Sequence, residues 1–295
     1  MSELTRPGVP DAKSNPDVLR FRAGVIRRLR AFFEGRDFLE VETPVRIAAP
    51  APEEHIDCPE VVTGGFLRAS PELQMKKLLA AGLERIFEIG PCFRDGELGS
   101  RHHPEFTMIE WYRRGGTYLD IADDLQALLA ELGEGRLGQP RRLTVREAYG
   151  EFAGWDPWME EFDRDRFDLD MATKVEPAIR ELGGGVFLFD YPPAAASLAK
   201  VSGSPAVAER WEFYYDGLEL ANCFTELCDG VEQRRRFEAS RAARRELGEA
   251  DYPLDEEFLG KVDAMESAAG VALGVDRLVM VLSGERDIAR VRIVR

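Results

Sequence analysis

The first element that the hydrophobic pattern predicts is an amphipathic helix. The pair Asn15-Pro16 supplies a capping side chain and a proline suited to the first helical position. Apolar residues then recur at steps of three and four, at Val18, Phe21, Val25, Leu29 and Phe32. We expect this helix to end at Gly35, and we expect the polar stretch 1–14 before it to be a flexible tail.

Short apolar runs and alternating patterns predict a set of strands. The expected strands cover 38–44, 86–94, 105–113, 185–190, 211–215, 218–222 and the segment from Gly270. Asp216-Gly217 is a strong indication of a two-residue hairpin turn. Helical patterns fall at 70–82, 118–132 and 231–249, and again after the last strand. Strand hairpins and helices in separate runs predict an antiparallel α+β fold.

Composition and charge narrow the class of protein. With 295 residues, of which 44% are hydrophobic and 32% charged, the chain is typical of a globular protein and not of a disordered or collagen-like one. The 54 acidic residues exceed the 39 basic ones and give a net charge of −15, which argues against a broad nucleic-acid-binding surface. The acidic excess either serves solubility alone or attracts a basic protein partner.

Nothing in the sequence predicts a membrane span or a secretion signal. The four cysteines, Cys58, Cys92, Cys223 and Cys228, form no Cys-x-x-Cys pair, and three histidines are too few to favour a structural zinc site. We therefore expect reduced thiols and a cytoplasmic protein.

The strand at 105–113 carries a candidate binding face. Strict alternation places on one face Phe106, Met108, Glu110 and Tyr112. A carboxylate beside a tyrosine on a half-apolar face suits an ammonium ligand; the alternative is a salt bridge at the rim with one of the two arginines that follow. Arg94, at the end of the preceding strand, suits either a phosphate or a nearby carboxylate.

The hairpin around Asp216-Gly217 brings two carboxylates together. A two-residue turn pairs Tyr214 with Glu219, and continuing that register places Glu212 opposite Ala221. Glu212 and Glu219 then become diagonal neighbours on one face. Such oxygen ligands suit Mg²⁺ bound together with phosphates, and the alternative is a pair of solvated surface carboxylates.

Three polar or aromatic residues, Asn222, Phe224 and Glu226, follow in the same strand with the opposite parity. They can face the same pocket as Glu219 only if the strand bulges or bends between Ala221 and Glu226.

Other segments have a structural explanation when each is taken alone. In Ser70-Pro71-Glu72 the serine suits a helix cap, and the glutamate complements the helix dipole. Gly270 and Gly274 suit close backbone packing. The pair His102-His103 lies in a loop and has no evident role.

Taken together, these segments resemble the motifs of class II aminoacyl-tRNA synthetases. Residues 36–44 are similar to motif 1, Phe93-Arg94 with 101–112 to motif 2, and 270–277 to motif 3. Ser-Pro-Glu at 70–72, Glu-Leu-Ala-Asn at 219–222 and Thr-Glu-Leu at 225–227 resemble the lysyl-tRNA synthetase branch. The resemblance implies the class II catalytic fold, a mixed, mostly antiparallel sheet flanked by helices, as a single domain over 15–295. It also implies a homodimer.

The lysyl-tRNA synthetases carry an anticodon-binding domain ahead of motif 1, and only about 20 residues stand there in this sequence, where a domain needs roughly 50. In this respect the sequence resembles truncated paralogues that ligate a lysine to translation elongation factor P. Glu-Trp-Tyr at 110–112 and Gly-Val-Ala-Leu-Gly at 270–274 add to this resemblance. The resemblance implies that ATP activates lysine or (R)-β-lysine as an aminoacyl-adenylate, and that a lysine side chain of that factor accepts it. The alternatives are a minimal lysyl-tRNA synthetase acting on tRNA and an inactive regulatory paralogue.

The resemblance also assigns roles to individual residues. Arg94 is the expected catalytic residue and binds the substrate carboxylate and the α-phosphate. The expected lysine-binding residues are Ser70, Pro71, Glu72, Glu110, Tyr112, Asn222, Phe224, Glu226 and Ala272. The expected ATP-binding residues are Arg94, Asp95, Gly96, Glu97, His102, His103, Phe106, Glu219, Leu220, Gly274 and Arg277. Phe106 and Arg277 are expected on the two faces of the adenine, and Mg²⁺ is expected at Glu212 and Glu219.

Three positions depart from the synthetase pattern. Gly96 stands where motif 2 usually has a glutamate, and Glu97 follows it, so recognition of the adenine amino group is expected to shift by one residue. His103 replaces an asparagine. Ala272 replaces a glycine of the lysyl-tRNA synthetases, and its methyl group indicates a β-amino acid, although such a change discriminates by only about 1–3 kcal/mol.

Overall fold

Within the residues that the structure describes, nine strands form one mixed sheet. The computed structural model describes residues 16–54, 56–158 and 161–293. The strands are β1 (Leu39–Glu40), β2 (Arg46–Ile47), β3 (Phe66–Leu67), β4 (Arg85–Phe93), β5 (Glu105–Arg114), β6 (Arg141–Thr144), β7 (Gly185–Tyr191), β8 (Val201–Ser202), β9 (Val207–Tyr215), β10 (Leu218–Thr225) and β11 (Ala268–Gly274). The main sheet has the order β1-β4-β5-β11-β10-β9-β7-β6, with β8 beside β9, and β2 pairs separately with β3.

Helices cover both faces of this sheet. The α-helices are α1 (Pro16–Glu34), α2 (Glu72–Ala80), α3 (Tyr118–Leu132), α4 (Val145–Ala148), α5 (Arg164–Asp170), α6 (Glu176–Leu182), α7 (Gly230–Leu247), α8 (Glu256–Leu259) and α9 (Val275–Ser283). Short π-helical turns lie at Tyr149–Ala153 and Met171–Val175, and 3₁₀ turns at Pro193–Ala195, Val262–Met265 and Ile288–Arg290. Among the strands of the described ranges, only β1–β4 and β6–β7 are parallel pairs. The expected class, a mixed and mostly antiparallel sheet flanked by helices, is confirmed.

The core on one face of the sheet centres on an aromatic cluster under α1. Phe33 is fully buried, and its ring centroid lies 4.9–5.2 Å from the rings of Phe32, Phe38, Phe87 and Trp111. Helices α3 and α9 pack onto the same face. Burial of the apolar stripe of α1 therefore fixes motif 1 against β4 and β5. The second face packs against α2, α4–α6 and α8 and carries the cavity described below.

The predicted elements agree with the observed ones except at particular ends. Helix 118–132 has the predicted bounds, whereas the capping role of Asn15 and the tail 1–14 lie outside the described residues. The strand expected at 38–44 covers only Leu39–Glu40. Its continuation is diverted because the backbone NH and the hydroxyl of Thr43 donate to the carboxylate of Glu88, at 3.1 and 2.7 Å. The helix expected from 70 begins at Glu72 because Pro71 occupies the N-cap.

The hairpin of β9 and β10 differs from its predicted register beyond the turn. Tyr214 pairs with Glu219 as expected, but Ala221 pairs with Phe213 and Asn222 with Glu212, so the placement of Glu212 opposite Ala221 is wrong. The register shifts between Glu219 and Ala221, which is the signature of a β-bulge. The bulge was expected after Ala221 and lies before it.

No helix within the described ranges combines the length and the apolar character needed to cross a membrane. The four cysteines are free thiols, three of them buried.

Replacement of Phe33 by alanine tests the aromatic cluster. The variant leaves a cavity among four rings and should lower the free energy of unfolding by about 3–5 kcal/mol, measured by chemical denaturation. As a control, Leu169→Ala removes a side chain that is 61% exposed and should change it by less than about 0.5 kcal/mol. Equal losses in the two variants would contradict this account of the core.

Candidate active site

A cavity of about 310 Å³ opens where β5, β10 and β11 meet the start of α2 and the loop between β4 and β5. The predicted residues that line it are Ser70, Glu72, Arg94, Glu97, His102, His103, Phe106, Glu110, Tyr112, Glu219, Leu220, Asn222, Phe224, Glu226, Ala272, Gly274 and Arg277. Residues from four separate stretches of sequence thus share one space.

One face of β5 forms a wall of the cavity. Phe106, Met108, Glu110 and Tyr112 all line it, as their alternation predicts. The alternative, a salt bridge between Glu110 and one of the following arginines, is wrong. Both of those arginines have other partners: Arg113 bonds Asp124 at 2.6 Å and Arg114 lies 3.5 Å from Glu266.

Glu110 is held by two hydroxyl groups at the closed end of the cavity. Ser70 Oγ donates to Glu110 Oε1 at 2.6 Å, and the Tyr112 hydroxyl donates to Oε2 at 2.8 Å. The same Ser70 oxygen accepts from the backbone NH of Glu72 at 2.9 Å, so the serine supports the start of α2 as well. Burial and then the charge of Glu72 raise the pKa of Glu110 to about 8, against the opposing effect of the two hydroxyls.

A buried lysine joins two further carboxylates. Lys76 Nζ lies 2.5 Å from Glu72 Oε1 and 2.5 Å from Glu226 Oε2, and the Lys76 side chain is 1% exposed. Burial opposes the charged form of Lys76, but the charges of Glu226 and Glu72 outweigh it, and the pKa of the ammonium lies above its ordinary value. Lys76 therefore stays protonated and neutralises part of the acidic wall.

The bulge in β10 turns residues at odd and at even positions of the strand towards the same cavity. Before it lies Glu219; after it lie Asn222, Phe224 and Glu226, and all four line the same space. Asn222 also accepts a hydrogen bond from Arg210 at 3.3 Å. The extra residue in β10 is thus what allows one strand to supply both ends of the site.

The opposite end of the cavity is basic and aromatic. The Arg94 guanidinium lies 5.2 Å from the ring centroid of Phe106 and 3.6 Å from the Glu97 carboxylate. Arg277 donates to the backbone oxygen of Glu219 at 2.8 Å and to His102 Nε2 at 2.7 Å. Burial and the charge of Arg277 lower the pKa of His102, which suits a neutral acceptor. Two fixed guanidinium groups beside an aromatic ring suit a nucleotide.

The His103 side chain is turned towards the start of β5, where Nδ1 lies 2.7 Å from the backbone oxygen of Glu105. Two more predicted nucleotide contacts, Asp95 and Gly96, do not line the cavity. Gly96 has φ +78°, a left-handed conformation that disfavours the glutamate usual in motif 2. Pro71 also lies outside the lining, at the N-cap of α2.

The two carboxylates expected at Mg²⁺ differ in their surroundings. Glu219 lines the cavity, whereas Glu212 does not and accepts from Arg210 and from the Tyr214 hydroxyl, each at 2.5 Å. Burial and then the charge of Glu212 raise the pKa of Glu219, a repulsion that a divalent cation would relieve. In the described ranges no group of three or more histidine, cysteine or acidic side chains is placed to hold a metal. Glu219 is thus placed to contribute one carboxylate to a Mg²⁺ ion that also needs phosphate oxygens, whereas Glu212 would join it only by releasing Arg210 and Tyr214.

The structure adds residues that sequence reasoning missed. The cavity is also lined by Glu53, Ile56, Arg101, Thr107 and Asp276. Lys76 follows Glu72 by four residues, a spacing that itself predicts an ion pair on a helix. Glu53 lies in an aperiodic loop, and only tertiary contacts bring it to the cavity.

Comparison with known proteins decides the family. The family described as tRNA synthetases class II (D, K and N) matches residues 11–293. The chain belongs to this family. It is 38% identical to a protein of Vibrio cholerae over 92% of this chain and 93% of the relative. It is 36% identical to one of Actinobacillus succinogenes (94% and 94%) and 35% identical to one of Proteus mirabilis (92% and 92%). All three relatives are named elongation factor P–(R)-β-lysine ligase.

The raised pKa of Glu110 makes stability depend on pH. Between about pH 4.5 and 8 the folded protein keeps a proton on Glu110 that the unfolded chain releases. Stability should therefore fall as the pH rises through this range, by up to about 1.4 kcal/mol per pH unit from this group. Glu110→Gln should show a shallower slope in denaturation measured from pH 5 to 8.

The matched control for this experiment is Glu246→Gln, which changes an exposed carboxylate on α7 and should keep the wild-type slope. The assignment of the titration to Glu110 fails if Glu110→Gln and the wild type lose stability in parallel.

Proposed function

We propose that this protein activates lysine or (R)-β-lysine with ATP and transfers it to a lysine side chain of translation elongation factor P. The observation that carries the proposal is the charge separation along one cavity. Glu110, whose partner on β11 is Ala272, lies with Glu72 and Glu226 at one end. Phe106, beside Arg94, lies four residues back along β5, and Arg277 follows the same end of β11. A molecule with ammonium groups and a carboxylate, placed next to a nucleotide, matches this arrangement. The names of the relatives support it.

Arg94 is the residue we place at the reacting atoms of the first step. A carboxylate oxygen of the amino acid attacks the α-phosphorus of ATP, and the bond to pyrophosphate breaks. Negative charge grows on the phosphoryl oxygens, and a fixed guanidinium stabilises that charge without reorganising. The face of Phe106 supports the Arg94 side chain and, with Arg277, offers surfaces for the adenine. Mg²⁺, when held by Glu219 and Glu212 with the phosphates, would supply further neutralisation of charge.

The residues that we propose to bind the amino acid take no part in the bond-forming steps. Glu110 and Tyr112 close the far end, and the free oxygens of Glu72 and Glu226 remain available for ammonium groups. In the second step an acceptor amine attacks the carbonyl carbon of the adenylate, and AMP leaves. That amine must be deprotonated first. No covalent bond to the enzyme is needed in either step.

A protein acceptor is favoured over tRNA by the net charge of −15, which opposes binding of a phosphate backbone. Because ATP and a translation factor are both cytoplasmic, we place the reaction there. We also propose a homodimer: around motif 1, Phe21 and Leu39 are 40% and 53% exposed. A size measurement in solution would test this.

The first test is lysine-dependent exchange of pyrophosphate into ATP, followed by transfer of labelled amino acid to purified elongation factor P. Arg94→Ala should lower the exchange rate by about 10²–10³-fold, as expected for loss of a main electrostatic contact. Arg286→Ala, on an exposed side chain, should keep the wild-type rate. Label on tRNA and none on the protein acceptor would favour the minimal synthetase, and no adenylate with any amino acid would favour the inactive paralogue.

Two glycines of β11 allow the lysine and nucleotide ends to be tested separately. A Cβ on Gly270 would lie 2.1 Å from Cδ1 of Tyr112, so Gly270→Ala must displace the ring. We expect the KM for lysine to rise about tenfold or more, while the KM for ATP changes less than about twofold. At Gly274 the nearest atoms belong to Arg277, at 3.8 Å, and Gly274→Ala should not raise the KM for lysine. A rise in the lysine KM that is equal in both variants would refute this division of the cavity.

A further inference from the structure

Nearly every carboxylate around the cavity already has a partner in the chain. Glu72 and Glu226 share the ammonium of Lys76, and Glu110 accepts from two hydroxyls. Near the basic end, Glu97 lies 3.6 Å from an arginine.

The same holds for the two carboxylates nearest α9. Glu219 lies 3.5 Å from Arg277, and Asp276 bonds both Arg22 and Arg292.

Glu53 is the exception. It lines the cavity, yet within the described ranges no hydrogen bond or ion pair holds its carboxylate. Glu53 is half-buried, and a carboxylate partly withdrawn from water without a partner is costly unless a ligand completes it.

The loop that carries Glu53 is fixed from behind. The backbone oxygen of Glu53 accepts from Arg244 Nη1 at 2.7 Å, and its NH donates to Ala51 at 2.9 Å. Arg244 is fully buried and also bonds the backbone oxygen of Ile56 and the carboxylate of Asp57. Helix α7 therefore clamps this loop by its backbone and leaves the side chain of Glu53 to face the cavity.

The charged neighbours of Glu53 locate it along the cavity. Glu72 and Arg94 exert the largest charge effects on it, ahead of Arg210 and Lys76. Burial and the charge of Glu72 raise the pKa of Glu53, and Arg94 acts in the opposite direction. Glu53 also lines, together with Ser70 and Glu72, a smaller cavity that adjoins the first, so it lies beside the start of α2, with Arg94 as its first positive neighbour.

We infer that Glu53 is a specificity-determining residue that binds the ammonium group nearer the carboxylate of the amino acid. The inference rests on the proposed function, in which Arg94 holds the substrate carboxylate. An ammonium on the α or the β carbon then falls between Arg94 and Glu72, beside the unpaired Glu53. The distal ammonium goes to Glu110 and Glu226. Glu53 thereby supplies a negative charge for the second ammonium group of the substrate, because Lys76 already neutralises part of the charge of Glu72 and Glu226.

The test compares Glu53→Gln with the wild type in pyrophosphate exchange. The variant should raise the KM for α-lysine and for (R)-β-lysine about tenfold or more, as for loss of a hydrogen bond to a charged group. Inhibition by 6-aminohexanoate, which lacks the nearer ammonium, should change less than about twofold. The matched control is Glu54→Gln, since Glu54 is the neighbour in the same loop and does not line the cavity; its constants should be those of the wild type.

Each outcome separates this inference from the proposed function. Unchanged KM values in Glu53→Gln would overturn the role of Glu53 and leave the function intact. Equal weakening of lysine and of 6-aminohexanoate would show a merely structural role and would also overturn it. Partial recovery of the lysine KM in Glu53→Asp would support a binding carboxylate. Absence of lysine-dependent exchange in the wild type would instead refute the proposed function itself.

Discussion

The site depends on one buried ion triplet, in which Lys76 lies between Glu72 and Glu226. Two carboxylates forced together in a cavity repel each other, and removing them from water costs several kcal/mol each. The ammonium of Lys76 offsets that cost and fixes both side chains, yet it satisfies only one oxygen of each. The remaining oxygens stay available to a ligand. A single internal cation therefore keeps an acidic wall stable in the empty protein without saturating it.

This arrangement explains why the sheet needs an irregular strand. Glu226 directly follows β10, Glu72 and Lys76 come from the first turns of α2, and Glu219 comes from the start of β10. A regular strand would send Glu219 and Glu226 to opposite faces, because they are seven positions apart, an odd number. The bulge between Glu219 and Ala221 changes the parity once. The acidic end and the nucleotide end can then share one cavity on one face of the sheet.

Much of the fold could be predicted because local patterns and tertiary packing agree. The apolar stripe of α1, the bounds of α3 and the turn at Asp216-Gly217 follow from periodicity and turn chemistry. The bulge could only be placed approximately, since nothing in Glu-Leu-Ala-Asn indicates which residue is extra. Glu53 could not be placed at all: its position depends on Arg244, which is 191 residues away in the sequence. The family motifs identified most of the cavity lining, but neither Lys76 nor Glu53.

Within the proposed reaction, the same charge separation decides from which side the acceptor enters. The acidic end is filled by the amino acid once the adenylate forms, so the acceptor amine reaches the carbonyl carbon from the side of Arg94 and Arg277. A neighbouring positive charge disfavours an ammonium and lowers the pKa of an amine. The guanidinium groups that stabilise the phosphate would therefore also favour the neutral, nucleophilic form of the incoming lysine. Glu97 and Glu219, which lie beside Arg94 and Arg277, weaken this effect, and a Mg²⁺ ion at Glu219 would offset their charge.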